Sequence, residues 1–231
     1  MTWPPWGERA MEKETGLKKG FQEAAFPLKA LGTLAGMLLI GFAMAGMYLG
    51  DLGADPISIL MEGVSRAAGL SKGMGTNLVN LAFFLFALLF NRRSIRWATL
   101  ISVLAMGPSV DLGLWALGAL LPAPLPFPAR LLLGAASCAL LGFAIGFYLS
   151  FDFGATPSDS VALWLRDTFH LRYRTCSWLL YCFALVVGWA LGGTVGVVTL
   201  LGLVLPGLIA DLVLARLQAG PVPRREKEKE A

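Results

Sequence analysis

Asp51-Leu52-Gly53-Ala54-Asp55-Pro56 returns later in the chain as Asp152-Phe153-Gly154-Ala155-Thr156-Pro157. Each copy follows a long apolar run containing Gly-Phe-Ala, at Gly41-Phe42-Ala43 and Gly142-Phe143-Ala144, and each precedes a short amphipathic segment starting at its proline. Thr99-Leu100 pairs with Thr199-Leu200, Gly107 with Gly207, and Asp111-Leu112 with Asp211-Leu212, in the same frame to within one residue. The chain therefore reads as a tandem duplication.

The material between the repeated turns is apolar. Of 231 residues, 56% are hydrophobic and 15% charged, and the hydrophobic ones gather in runs rather than alternating as in a soluble core. Such runs, near the roughly 20 residues that a helix needs to cross a bilayer, predict an integral membrane protein. Six spans are expected, over residues 28–50, 74–90, 97–120, 131–150, 176–191 and 196–215. The first begins after a long polar stretch and exceeds the h-region of a signal peptide, so it is expected to remain.

Three spans per copy is an odd number, so the copies must have opposite orientations. Charge gives the same answer separately. With both termini cytoplasmic, sixteen of the nineteen Lys and Arg residues fall in inside segments, and only Arg66, Lys72 and Arg130 fall outside. This is the positive-inside asymmetry. It accounts for the formal charge of +4 without a nucleic-acid partner.

The expected fold is thus an all-α membrane protein of six transmembrane helices, arranged as two inverted-topology repeats of three. Each repeat carries a short interfacial or re-entrant helix after its first span. A cytoplasmic arm (1–27) leads into the first membrane repeat (28–120). A proline-rich outer linker (121–130), the second repeat (131–216) and a disordered cytoplasmic tail (217–231) follow. In each repeated turn, Gly53 or Gly154 permits a sharp reversal, Asp55 or Thr156 caps a helix, and Pro56 or Pro157 takes its first position. Asp159 stands three residues after Thr156, as in a capping box. A helix of about 12 residues from either proline is too short to span.

Polar residues at membrane depth are the candidates for function. Asp111 and Asp211 are repeat mates, readable as an ion, proton or substrate site, or as carboxylates that accept hydrogen bonds from the turn of their own half. Asp51, Asp55, Asp152 and Thr156 are readable as ligands at broken-helix ends or as caps. Asn77 and Asn80 lie on one face of the second span; their copies are Trp178 and Tyr181, so a site they line is asymmetric. Cys138, Cys176 and Cys182 lack metal or disulfide spacing, and the lone His170 lacks partners. No nucleophile, zinc or phosphate-loop motif occurs, so neither an enzyme nor a cofactor or metal site is expected.

The Gly-Ala-Asp-Pro and Gly-Ala-Thr-Pro turns, the Gly69-Leu70-Ser71-Lys72-Gly73 segment and the helix end running from Gly107 to Asp111 resemble the YczE/YyaS/YitT family of bacterial membrane proteins over about residues 30–216. The second copy departs from this pattern at His170 to Arg174. The resemblance implies a multi-pass protein of the bacterial cytoplasmic membrane and brings no agreed activity. Function must come from the residues. Inverted repeats, interrupted helices and paired aspartates point to a small-solute or ion transporter with its site at the repeat interface. The alternative is a non-transporting accessory or scaffold that uses its glycine faces to bind a partner membrane protein or a second copy of itself.

Overall fold

Both repeated turns fold as their local chemistry predicts. In the computed structural model, which describes residues 26–121 and 124–218, Asp51 and Asp152 take left-handed angles (φ 49° and 48°), and Gly53 and Gly154 have φ of 100° and 134°. Helix α1 (Phe26–Gly50) leads into the first turn and α5 (Phe127–Leu149) into the second. The short helices α2 (Pro56–Ala68) and α6 (Pro157–Phe169) leave them, each with proline in its first turn. Asp55 caps α2 by accepting from Ser58 N–H at 3.3 Å, and Thr156 Oγ1 caps α6 by accepting from Asp159 N–H at 3.4 Å. Gly69 ends α2 at φ 64°, and His170 ends α6 in the same way at φ 55°. The lone histidine is a helix C-cap.

Helices α3 (Lys72–Phe90) and α4 (Trp97–Leu120), joined by the 3-10 turn Arg92–Ser94, complete the first half; α7 (Tyr173–Ala190) and α8 (Val197–Gln218) complete the second. No strand occurs among the described residues. The expected N-terminal arm (1–27) and C-terminal tail (217–231) lie outside the described residues, except that Phe26 and Pro27 belong to α1 and Leu217 and Gln218 to α8.

Among the described residues, five helices are long and apolar enough to cross a membrane: α1, α3, α4, α5 and residues Val197–Leu217 of α8. The helix over the remaining expected span, α7, has 18 residues and opens on Tyr173, Arg174 and Thr175. At 1.5 Å per residue it reaches about 27 Å, and its polar first turn dilutes its apolar character. The exterior is apolar, with Leu104 74%, Trp115 73% and Leu200 69% exposed. Surfaces of this kind on soluble monomers are confined to small patches.

Helices α1 and α5 form the centre and pack on each other, α1 also on α4, and α5 also on α8. Their small residues set these contacts: Gly36 faces Tyr148, Gly46 faces Ser137, Gly41 faces Ser109, Gly142 faces Pro206 and Gly146 faces Ala210. The glycine faces are occupied within the chain. Each short helix crosses into the other half, α2 packing on α7 and α6 on α3. Backbone bonds repeat this exchange. Leu52 C=O accepts from Val198 N–H at 3.0 Å, and Phe153 C=O from Ala98 N–H at 3.2 Å.

Helix α2, expected from the sequence as a short amphipathic segment, is buried on more than its apolar residues Leu60 and Met61. Ser58, Ile59, Glu62, Gly63 and Ser65 are buried as well, and Ala68 is exposed. The reason is that α2 is wedged between α3 and α7 and touches α8, so it has no free side along its middle.

Candidate solute-binding cavity

A cavity of about 440 Å³ lies between the halves, and every helix contributes to its wall. Its volume falls in the range of roughly 300–1,000 Å³ typical of small-molecule sites. The buried end is apolar, formed by Ile40, Met44, Met61 and Met106 with Asn80. At the other end lie Tyr173 and Ser177 of α7 and Gly207 and Asp211 of α8, of which Tyr173, Gly207 and Asp211 are exposed. This end is the mouth.

The first turns of α2 and α6 enter the cavity with opposite chemistry. Asp55 is the cap of α2, and Ser58 donates its hydroxyl to Asp55 Oδ1. In α6 the order is exchanged: Thr156 caps, and its hydroxyl donates to Asp159 Oδ2 at 2.7 Å. Asp159 also accepts from Tyr148 at 3.4 Å and from Tyr173 at 3.5 Å. Neither short helix spans, and burial pushes the Asp55 and Asp159 carboxyls upward, against the hydrogen bonds that Ser58 and Thr156 donate to them.

Four of the eight residues singled out in the sequence, Asp55, Thr156, Asn80 and Asp211, line this cavity. Asn80 donates to Met106 Sδ at 3.1 Å, and Asp211 has no hydrogen bond among the described residues. The other four lie elsewhere. Asp111 accepts from Ser71 Oγ at 2.7 Å and from Gly73 N–H at 2.9 Å, bonds from the turn of its own half. Asn77 accepts from Gly107 N–H at 2.9 Å, where Pro108 interrupts the regular ladder of α4. Asp51 pairs with Arg130 at 3.1 Å and Asp152 with Arg96 at 3.5 Å, both on the surface.

Sequence reasoning missed Glu62, whose side chain is 2% exposed. One oxygen receives Lys72 Nζ and Arg66 Nη2, both at 2.9 Å, and the other receives Thr194 N–H at 2.9 Å. Arg66 continues to Gly192 C=O at 2.6 Å, and Thr194 to Asp51 at 3.4 Å. Arg66, Lys72 and Arg130, the three cations assigned to the outside, thus meet in one polar network. An acidic residue four before Arg66 on a short helix was the available signal. Tyr148, Tyr173 and Asp159 gave none for a shared wall, because they come from three separate elements.

The two copies of the outer seam differ. Between α3 and α4, the Ser71–Asp111, Gly73–Asp111 and Asn77–Gly107 bonds close the contact, and a Cβ on Gly73 would lie 2.3 Å from Gly107 C=O. No comparable packing joins α7 to α8, where Arg172, Arg174 and Trp178 replace Ser71, Gly73 and Asn77.

DUF6198, described as a family of unknown function, matches residues 28–214. The chain is 25% identical over 185 residues to the uncharacterized protein YyaS of Bacillus subtilis (strain 168), covering 78% of this chain and 89% of that one. It is 23% identical over 176 residues to the uncharacterized membrane protein YczE of the same organism, covering 76% and 80%. An uncharacterized protein of Haemophilus influenzae is 24% identical over 168 residues, covering 73% and 75%. No solved structure matches. With five apolar helices and a membrane protein among its relatives, the chain is a polytopic membrane protein that belongs to the DUF6198 family.

Proposed function

We propose that the protein is a small-solute transporter built from two inverted repeats of three spans, with α7 as the sixth span, α2 and α6 as re-entrant helices, and both termini in the cytoplasm of a bacterial inner membrane. The observation that carries this reading is the unlike state of two like seams. A cavity of small-molecule size reaches the surface where α7 and α8 part, while the matching α3–α4 seam is closed by Asp111 and Asn77. Exchanging these states between the halves would expose the same cavity to the other side of the membrane, which is how inverted repeats give alternating access.

Further support comes from α7 and from charge. Trp178, Phe183, Val186 and Trp189 are exposed along α7, the stripe expected of a lipid-facing span. Arg66, Lys72 and Arg130 gather in one network, whereas Arg172 and Arg174 stand beside the mouth. In this orientation the mouth faces the cytoplasm. The glycine faces on which an accessory role would depend are taken up within the chain.

Topology reporters fused after Ser71 and after Arg172 test the inverted arrangement. They are expected to report opposite sides, the first outside and the second cytoplasmic. Reporters on the same side would end the inverted-repeat reading.

A further inference from the structure

The charge of the cavity wall narrows the solute. Three carboxylates line it, Asp55, Asp159 and Asp211, and among the described residues no Lys, Arg or His does. Two helix N-termini also point there, and each presents about +0.5 of a charge, which taken alone favours an anion. Both ends are already answered by a carboxylate, Asp55 at the cap of α2 and Asp159 in the first turn of α6. In their ionised form these two carboxylates exceed the two half-charges, and Asp211 at the mouth is a third acidic group on the same wall. The remaining wall is aromatic and aliphatic. Tyr148, Tyr173 and Tyr181 stand around Asp159 and the mouth, and tyrosine ring faces attract cations. Elsewhere the fold already uses such a contact, with Lys72 Nζ 4.5 Å from the Tyr48 ring centroid.

We propose that the cavity takes a small organic cation, an amine that is protonated or quaternary and carries an apolar body. The cationic head sits between Asp159, Asp55 and the tyrosine rings, and the body lies against Met44, Met61 and Met106. This proposal rests on the cavity being a solute site.

The test compares choline with its uncharged isostere 3,3-dimethylbutan-1-ol and with the anion 3,3-dimethylbutanoate, titrated calorimetrically into the detergent-purified protein. Choline is expected to bind at least tenfold more tightly than either. Asp159→Asn is expected to weaken choline at least tenfold and leave the neutral isostere unchanged, whereas Asp167→Asn, an exposed carboxylate of α6 outside the cavity, changes neither. Thermal unfolding of each variant verifies that it is folded, and Asp55→Asn serves if Asp159→Asn is not. Equal or tighter binding of the neutral or anionic probe overturns the cationic class and leaves a solute cavity standing. No binding of any probe overturns the cationic class as well. The cavity is then judged separately by whether a cysteine at Asn80 is reached by a water-soluble thiol reagent; an unreachable position 80 would overturn the solute site itself.

Discussion

Glu62→Ala is expected to cost about 3 kcal/mol of stability, the lower end of the roughly 3–5 kcal/mol typical when one partner of a buried ion pair is removed. The carboxylate is buried and satisfies Lys72, Arg66 and Thr194 N–H together. Its loss would strand the Thr194 amide and place two cations side by side. The lower end applies because Arg66 and Lys72 are 46% and 27% exposed and keep part of their hydration. Thermal or denaturant unfolding in detergent measures the loss.

The same residue gives a pH signature. Burial pushes the Glu62 carboxyl up, but the Lys72 hydrogen bond, the Thr194 amide and the charges of Lys72 and Arg66 outweigh it and hold the group below its ordinary value. A carboxyl lower in the folded state than in the unfolded one stabilises the fold above the unfolded value, about 4.3, and this contribution is lost as pH falls through the folded value. Stability should therefore fall on acidification in that window, and Glu62→Gln should make the fall shallower. An unchanged acid limb in Glu62→Gln would remove the linkage.

Gly63→Val is the second large effect. At Gly63 the backbones of α2 and α7 touch: a Cβ there would lie 2.3 Å from Gly188 C=O, and a Cβ on Gly188 would lie 2.6 Å from the Ile59 carbonyl carbon. No flexible side chain can yield, so the helices must separate, at about 1–3 kcal/mol for overpacking and more for a branched side chain. Because α7 carries Tyr173, Ser177 and Tyr181, that separation also moves the cavity wall. Gly118→Ala in α4 is the control, since nothing lies within 4 Å of a Cβ there. It should be neutral or stabilising by up to about 1 kcal/mol. Equal melting temperatures for Gly63→Val and the parent would mean that α2 and α7 do not cross here.

What was legible in the sequence was local. The turn at Gly53 to Pro56, its copy, and the caps Asp55 and Thr156 follow from the conformational limits of Gly, Pro and Asp within six residues, and the fold keeps all of them. The bonds that Asp111 accepts from its own turn were likewise one of the two readings its sequence position offered. Residues joined between separate elements were not legible. Glu62 meets Thr194 only because α2 crosses into the second repeat, and Asp159 meets Tyr148 and Tyr173 only where α5, α6 and α7 converge within that repeat. The cavity exists because α7 and α8 part where α3 and α4 do not, and relative packing of that kind leaves no mark in the spacing of residues along one helix.

The most direct measurement is the sidedness of a cysteine at Asn80, on the cavity floor, in protein whose Cys138, Cys176 and Cys182 are replaced. A membrane-impermeant maleimide is applied to right-side-out and to inside-out vesicles, with and without Asp111→Ala, which removes the acceptor that closes the α3–α4 seam. Alternating access predicts labelling from the cytoplasmic side in the parent, and a rise in labelling from the outside once Asp111 is removed. Labelling that stays confined to one side in both proteins would contradict transport through this cavity.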